Sequence, residues 1–221
     1  MRSLPENLMP PPDKRAALPR EVRIEHLRAG VLDAATEVFA KRGYPGTTVD
    51  HIILAAKISY SSFYELFGGK QDCLLQAYER VTADFWQRIS AEVPTSAPWP
   101  EQVCAALRAA LGAIASAPQA ARVALVEVQT AGSEALASYE RTHDSLVPLL
   151  RRGREWSPCP ERLPETLEEA TIGGVAWLLH QRLVWGEVET IGDVYPDLVQ
   201  IVLGPYLGDD EAARLGAMSI A

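Results

Sequence analysis

Four side chains in one short window carry the chemistry that the sequence offers most plainly: Tyr60, Ser61, Ser62 and Tyr64. They are small or slender hydroxyl groups at the start of a short helical pattern, with no bulky aliphatic residue among the first three. They donate and accept hydrogen bonds to phosphate oxygens and base edges, which is the chemistry of nucleic-acid recognition. Phe63 and Phe67, four residues apart, fall on one helical face and are expected to point into a core, with Tyr64 off that face and its hydroxyl free to reach a phosphate.

Catalysis finds no comparable support. There is no H-E-x-x-H, no G-x-S-x-G, no phosphate loop ending in G-K-[ST], and no Cys/His spacing suited to zinc. Gly68-Gly69-Lys70 reads as a helix start, because position 64 is not the glycine that a phosphate loop would need. Glu168-Glu169 also sits at a helix start and reads as a solvated face. No catalytic residue, metal ligand or cofactor is therefore expected, and the chain is not expected to be an enzyme.

The elements that position the hydroxyl cluster are all helical. From Arg23, the residues Ile24, Leu27, Val31, Ala34, Ala35, Val38 and Phe39 recur at steps of three and four, one apolar stripe. Lys41 and Arg42 place positive charge at the negative end of that helix, and Gly43 ends it. Tyr44-Pro45-Gly46 is turn chemistry. Thr47 or Thr48 then caps a second, short helix with Asp50 in its first turn and Val49, Ile52, Ile53 and Ala56 as its apolar residues. After Lys57 and Ile58, Ser59 caps the third helix, which holds the cluster. Two short helices joined by a tight turn and packed on a longer one make a helix-turn-helix, whose second helix enters the DNA major groove. Beyond Lys70, helices are expected over 70–91, 100–117, 119–131, 133–152, 164–186 and 193–207. No period-two alternation is sustained anywhere, so the expected class is all-α: a three-helix N-terminal DNA-binding domain and a larger helical C-terminal domain.

Residues 24–80 resemble the N-terminal domain of the tetracycline-repressor (TetR) family of transcriptional regulators. The matching stretch is TVDHIILAAKISYSSFYELF at 48–67, followed by GGKQDCL at 68–74. Phe39 with Gly43-Tyr44, Thr47-Thr48-Val49-Asp50, Ser59, Phe63-Tyr64, Phe67-Gly68 and Lys70 carry the match. The resemblance implies a DNA-contacting set of Thr47, Thr48, Lys57, Ser59, Tyr60, Ser61, Ser62, Tyr64 and Lys70. In that set, Thr48 holds a phosphate, Tyr60 to Ser62 face bases or adjacent phosphates, and Tyr64 and Lys70 grip the backbone. Three departures bear on the operator. Lys57 stands where the family has a turn glycine, and must accept an unusual φ or shift the turn slightly, or it supplies a phosphate contact that the family normally lacks. Tyr60 and Ser61 stand where lysine and glycine are common. Leu66 replaces a common histidine, next to an added charge at Glu65.

The family's C-terminal domain binds a small ligand and dimerises, so the resemblance implies the same for residues 81–221, with a small apolar or amphipathic ligand. The expected divisions are a flexible Pro-rich arm at 1–22, a helix-turn-helix domain at 23–69, a ligand-binding and dimerisation domain at 70–207, and a tail at 208–221. Trp86, Leu107, Leu111, Glu127, His143, Trp177 and His180 are the candidate ligand-facing residues. Glu127 has two open readings: a ligand-facing carboxylate on a helix apolar all round, or a partner for Arg122 or Arg182. Trp156 is a further aromatic that could line a pocket. Leu167, Thr171, Gly174 and Leu178 on one helix, and Leu198, Ile201 and Val202 on the last, are the candidate dimer interface. Gly173-Gly174 in mid-helix costs about 1 kcal/mol per residue against alanine, which close approach of another helix would offset. A C2 homodimer follows from the two equivalent heads that a palindromic operator requires.

The expected function is a homodimeric repressor that binds double-stranded operator DNA and is released by a small ligand. The alternative is a helical carrier or protein-interaction module that has lost DNA binding. The longest uncharged stretch, Ala109 to Ala121, contains Pro118 and is too short to span a membrane. The first residues lack an apolar signal core, and three widely spaced cysteines (Cys73, Cys104 and Cys159) suit a reduced compartment, so a cytoplasmic protein is expected. The net charge of -8 argues against a nucleic-acid partner until it is divided. Residues 1–80 carry 11 basic and 10 acidic side chains, and residues 81–221 carry 10 and 19. A near-neutral head must rely on helix N-termini, hydroxyls and a few lysines, which predicts a moderate salt dependence.

Overall fold

The computed structural model describes residues 19–218. Most of the expected Pro-rich arm lies outside the described residues, but its last three positions, from Arg20, already belong to the first helix. Among the described residues there are helices and 3-10 turns and no strand. The N-terminal helices are α1 (Arg20–Gly46), α2 (Val49–Ala56), α3 (Tyr60–Leu66) and α4 (Lys70–Glu92). They are followed by α5 (Trp99–Ser116), α6 (Pro118–Leu125), α7 (Ser133–Asp144), α8 (Val147–Arg151), α9 (Leu167–Trp185), α10 (Tyr195–Leu207) and α11 (Asp209–Ala217).

The stripe on α1 packs as its spacing requires from Val31 onward: Val31, Leu32, Ala35 and Phe39 are buried. Ile24 and Leu27 are exposed instead, because the first turns of α1 extend past the elements that cover the rest of the stripe. Gly43, with φ 73 and ψ 159, breaks the helix where a side chain would be strained, and Tyr44 folds back to stack on Phe39. Phe39, Ile52, Phe63, Phe67 and Leu74 then form one sealed core, so the positions of α2 and α3 are set by packing on α1 and α4. Arg28 closes one edge, donating to Leu66 O (2.8 Å) and Gln76 Oε1 (2.6 Å) with its guanidinium over the Phe67 ring. In the same core, burial first and the Asp72 charge second push the Cys73 thiol up to about 12. That thiol is an inert core group.

The head is not separate from the rest. Val123, Val128, Ala131 and Ala135 of the C-terminal domain belong to the same apolar cluster as Phe39 and Phe63. A second cluster, built on Trp99, Ile114, Leu198, Leu203 and Tyr206, forms the C-terminal core. Buried Glu168 lies within it, gripped by Arg154 Nε (2.8 Å) and Nη2 (3.0 Å) and by the Tyr206 hydroxyl (3.1 Å). Burial by itself would raise the Glu168 carboxyl. The Arg154, backbone and Tyr206 hydrogen bonds outweigh it and hold the group below the usual range.

Three expected elements differ. The helix over 119–131 stops at Leu125, and Glu127–Thr130 is a 3-10 turn. The helix over 133–152 stops at Asp144, because Pro148 has no N–H for the Asp144 carbonyl, and resumes as short α8. The expected tail at 208–221 is largely helix α11, docked on α10: Ala212 is fully buried, and a Cβ on Gly216 would sit 3.3 Å from Pro196 Cα. No single described helix is long and apolar enough to cross a membrane.

Candidate nucleic-acid interface

The turn between α2 and α3 is built from two side-chain caps and one strained residue. Thr48 caps α2: its Oγ1 accepts from His51 N at 3.4 Å, and its own N–H donates to His51 Nδ1 at 3.2 Å. This is a capping box with histidine in the place usually held by Glu or Gln, a signal that the sequence pattern did not flag. Lys57 ends α2 with φ 56 and ψ 44, a left-handed conformation adopted by no other non-glycine described residue. The unusual φ expected there is present, at a cost of roughly 1–2 kcal/mol that a glycine would avoid. Ser59 caps α3 by accepting from Ser62 N at 3.1 Å, and its Oγ lies 2.8 Å from Ser61 Oγ and 2.9 Å from Ser62 Oγ.

The resulting surface separates the candidate residues. Tyr60 and Tyr64 are 54% and 56% exposed, while Phe63 and Phe67 beneath them are sealed in the core. Ser61, Thr48 and Lys57 are also exposed. Tyr64 stands edge-on to Phe63, ring centroids 5.4 Å apart, which fixes its ring while leaving the hydroxyl in solvent. Glu65 is exposed and makes no ion pair among the described residues. Leu54, on the outer face of α2, is 80% exposed. Its position outside the 49, 52, 53, 56 stripe is legible in the sequence.

Two candidates do not sit as expected. Thr47 is 1% exposed and donates its hydroxyl to Gly43 O at 2.7 Å, so its side chain closes the kink in α1 and is sealed from any phosphate. Lys70 turns inward: Nζ donates to Tyr44 O and Thr47 O, both at 2.9 Å, and lies 4.1 Å from the Tyr44 ring centroid. Its charge neutralises carbonyls left bare where α1 breaks, so it is not a free cation reaching for the backbone of a duplex.

Glu127 lies on the route from this surface to the other domain, and a ligand-facing role is not what the geometry gives it. It is 3% exposed, accepts from Arg122 Nε at 3.1 Å through Oε1, and accepts from the backbone N–H of Tyr44 at 2.8 Å through Oε2. Of its two open readings the pairing one holds, with Arg122; Arg182 pairs with Glu187. Leu111 is buried and Leu107 partly buried, both in the C-terminal core, so neither faces an open site. Trp86 lines a cleft of about 370 Å³ between α4 and α7, with Tyr78, Thr82 and Arg141. His143, Trp177 and His180 come together in a second cleft of about 310 Å³ between α7 and α9. Trp156 is exposed and lines neither. No described group of His, Cys, Asp and Glu is arranged to hold a metal ion.

The candidate dimer residues divide in the same way. Leu198, Val202 and Thr171 are 1%, 3% and 7% exposed, buried against their own chain, and cannot meet a partner. Gly174 and Ile201 are exposed, and Leu167 and Leu178 are partly so. The open face of α9 also carries Trp177, Val184 and Trp185 at 63%, 45% and 66% exposure, and nothing lies within 4 Å of a Cβ built on Gly173 or Gly174.

Comparisons with known proteins agree with this geometry. Residues 31–77 match the family model described as bacterial regulatory proteins, tetR family. The HTH-type transcriptional regulator HbdR of Aromatoleum sp. (strain CIB) is 31% identical over 84 residues, which span 38% of this chain and 37% of that protein. The fold is similar to that of the fatty acid degradation regulator FadR from Bacillus halodurans (TM-score 0.70, 18% identity, 80% of this chain and 94% of that one). It is also similar to a TetR-like transcriptional regulator from Rhodococcus sp. RHA1 (TM-score 0.67, 24% identity, 85% and 97%). FadR from Bacillus subtilis in complex with stearoyl-CoA matches as well (TM-score 0.63, 17% identity, 81% and 98%).

Proposed function

We propose, from the match of residues 31–77 to the tetR family of bacterial regulatory proteins, that this chain is a homodimeric transcriptional repressor released from a palindromic operator by a small ligand. The observation that carries the proposal is the rigid α2–Lys57–α3 unit, which holds Tyr60, Ser61 and Tyr64 in solvent above a sealed aromatic core. In this reading, Tyr60 and Ser61 meet base edges in the major groove. Thr48 and Tyr64 meet phosphates, and exposed Lys57 adds a cation beside the turn. Ser59 and Ser62 serve first as the cap that orients the helix.

Two heads are needed to read a palindrome, and the open face of α9 supports pairing across a two-fold axis. Gly174 lets a partner helix approach closely, and Trp185, Val184 and Ile201 supply the apolar area that their own chain leaves uncovered. The direct test is a gel shift with the DNA upstream of the chain's own gene, titrated with salt. We expect retardation that weakens moderately as salt rises, given the near-neutral head. Absence of a retarded band at low salt would favour a helical carrier or protein-interaction module instead.

A further inference from the structure

The cleft between α7 and α9 has a polar lining in which acidic groups outnumber basic ones. His143 Nδ1 lies 2.9 Å from Tyr139 O, and His180 Nδ1 lies 2.9 Å from Leu125 O. A carbonyl can only accept, so each neutral ring carries its proton on Nδ1 and keeps an acceptor lone pair on Nε2. Gln129 donates one N–H of its amide to Leu125 O, with the same nitrogen 3.3 Å from His180 Nδ1, and keeps its carbonyl oxygen as an acceptor. Glu140, Asp144 and Glu169 add three carboxylates, and no lysine or arginine lines the cleft. Of the three, Glu169 is ion-paired with Arg151, which lies outside the lining, at 3.7 Å. The apolar part is equally defined: Ile172, Ala176 and Val147 line it, and Trp177 stacks on His180 with centroids 5.6 Å apart and planes 9° from parallel.

We infer that this cleft is the effector site and that its ligand is an amphipathic organic cation, an ammonium or similar donor joined to an apolar or aromatic body. The inference rests on the ligand-responsive reading above and adds the chemical class. Carboxylates in a lining without lysine or arginine favour a positively charged donor. A cation beside the indole face gains the ring's electrostatic attraction as well as that of the carboxylates. A phosphate-bearing or carboxylate ligand would meet the like charges of Glu140 and Asp144 and no lining lysine or arginine. The volume of about 310 Å³ suits a compact molecule.

The test is calorimetry on the free protein with phenethylammonium and 3-phenylpropionate, matched in ring and chain and opposite in charge. We expect the ammonium to bind at least tenfold more tightly than the carboxylate. Trp177→Ala and the double variant Glu140→Gln with Asp144→Asn should each weaken it roughly threefold or more. Glu140 and Asp144 are exposed on α7, so circular dichroism and melting temperature of the double variant should be unchanged. Equal binding of the two probes, or ammonium binding indifferent to both variants, would overturn the assignment. A gel shift run in parallel separates the two readings. Cation binding that leaves the operator complex intact counts against ligand-driven release alone. Failure to bind in protein that still retards operator counts against the cation site alone.

Discussion

The Glu127 carboxylate accepts the backbone N–H of Tyr44 at 2.8 Å, across 83 residues of sequence. The bond sits in a longer series. Arg122 donates to Leu183 O on α9 at 3.3 Å and to Glu127, and Lys70 donates to the Tyr44 and Thr47 carbonyls where α1 breaks. Polar groups therefore run without a gap from the helix with the open apolar face to the start of the helix-turn-helix. In the proposed ligand-responsive dimer, a shift of α9 or α6 would move the anchor of the head, and a ligand that prefers one head spacing would bias it.

Glu127→Ala should uncouple the two ends. Losing the carboxylate leaves a buried N–H and the Arg122 charge without their partner, a cost of about 1–3 kcal/mol. We expect faster hydrogen exchange at Tyr44 to Thr47 than in the parent protein. Operator affinity should fall less than the response to ligand. Unchanged exchange at those amides would remove the anchor role.

Lys57→Gly should stabilise the protein by about 0.5–1 kcal/mol, because glycine adopts the left-handed conformation without Cβ strain and only part of that gain is returned as unfolded-chain entropy. Thermal or urea denaturation measures it. If Lys57 also touches a phosphate, the same variant should lower the slope of log affinity against log salt by about 1 per head.

Tyr64→Ala should weaken operator binding by roughly 1 kcal/mol, about fivefold, to a similar extent on every operator sequence. Tyr60 substitutions should change which operators are preferred, as competition gel shifts would report. Lys70→Ala differs from both. Because Nζ holds two carbonyls, its loss should appear first as a lower melting temperature of the head and only secondarily as weaker binding.

If the open face of α9 pairs as proposed, Trp185→Glu should yield a monomer at micromolar concentration where the parent protein is a dimer, read by light scattering, without unfolding it. The side chain is 66% exposed in the single chain, so the charge disturbs only what a partner covers. A variant that stays dimeric would place the two-fold axis elsewhere.

Acid should weaken the C-terminal core through Glu168. Its folded pKa lies below the ordinary 4.5, so its stabilisation is fully present above that value. It is lost as pH falls through the lower, folded value. Glu168→Gln should lower stability near neutral pH by removing the buried carboxylate charge that Arg154 and Tyr206 hold. It should also flatten the fall in stability below about pH 4.5, measured by urea denaturation at stepped pH.

Much of this protein is local, and local features are legible in a sequence. Helical period on α1, the caps at Thr48 and Ser59, the break at Gly43 and the strained φ at Lys57 all depend on residues within a few positions of one another. So do the exposure of Tyr60 and Tyr64 and the burial of Phe63 and Phe67, since helix geometry sets which neighbours share a face. Tertiary structure decided what each polar group does with its bonds. Lys70 is a surface cation by type and position, and only the approach of the Tyr44 and Thr47 carbonyls turns it inward. Thr47 and Thr48 are equivalent as letters, and the kink in α1 buries one and exposes the other. Glu127 had two open readings because its partners lie five and 83 residues away on other elements. The dimer stripe failed at Leu198, Val202 and Thr171 for the same reason. Periodicity finds the apolar face of a helix, and only packing tells which part of that face its own chain has already covered.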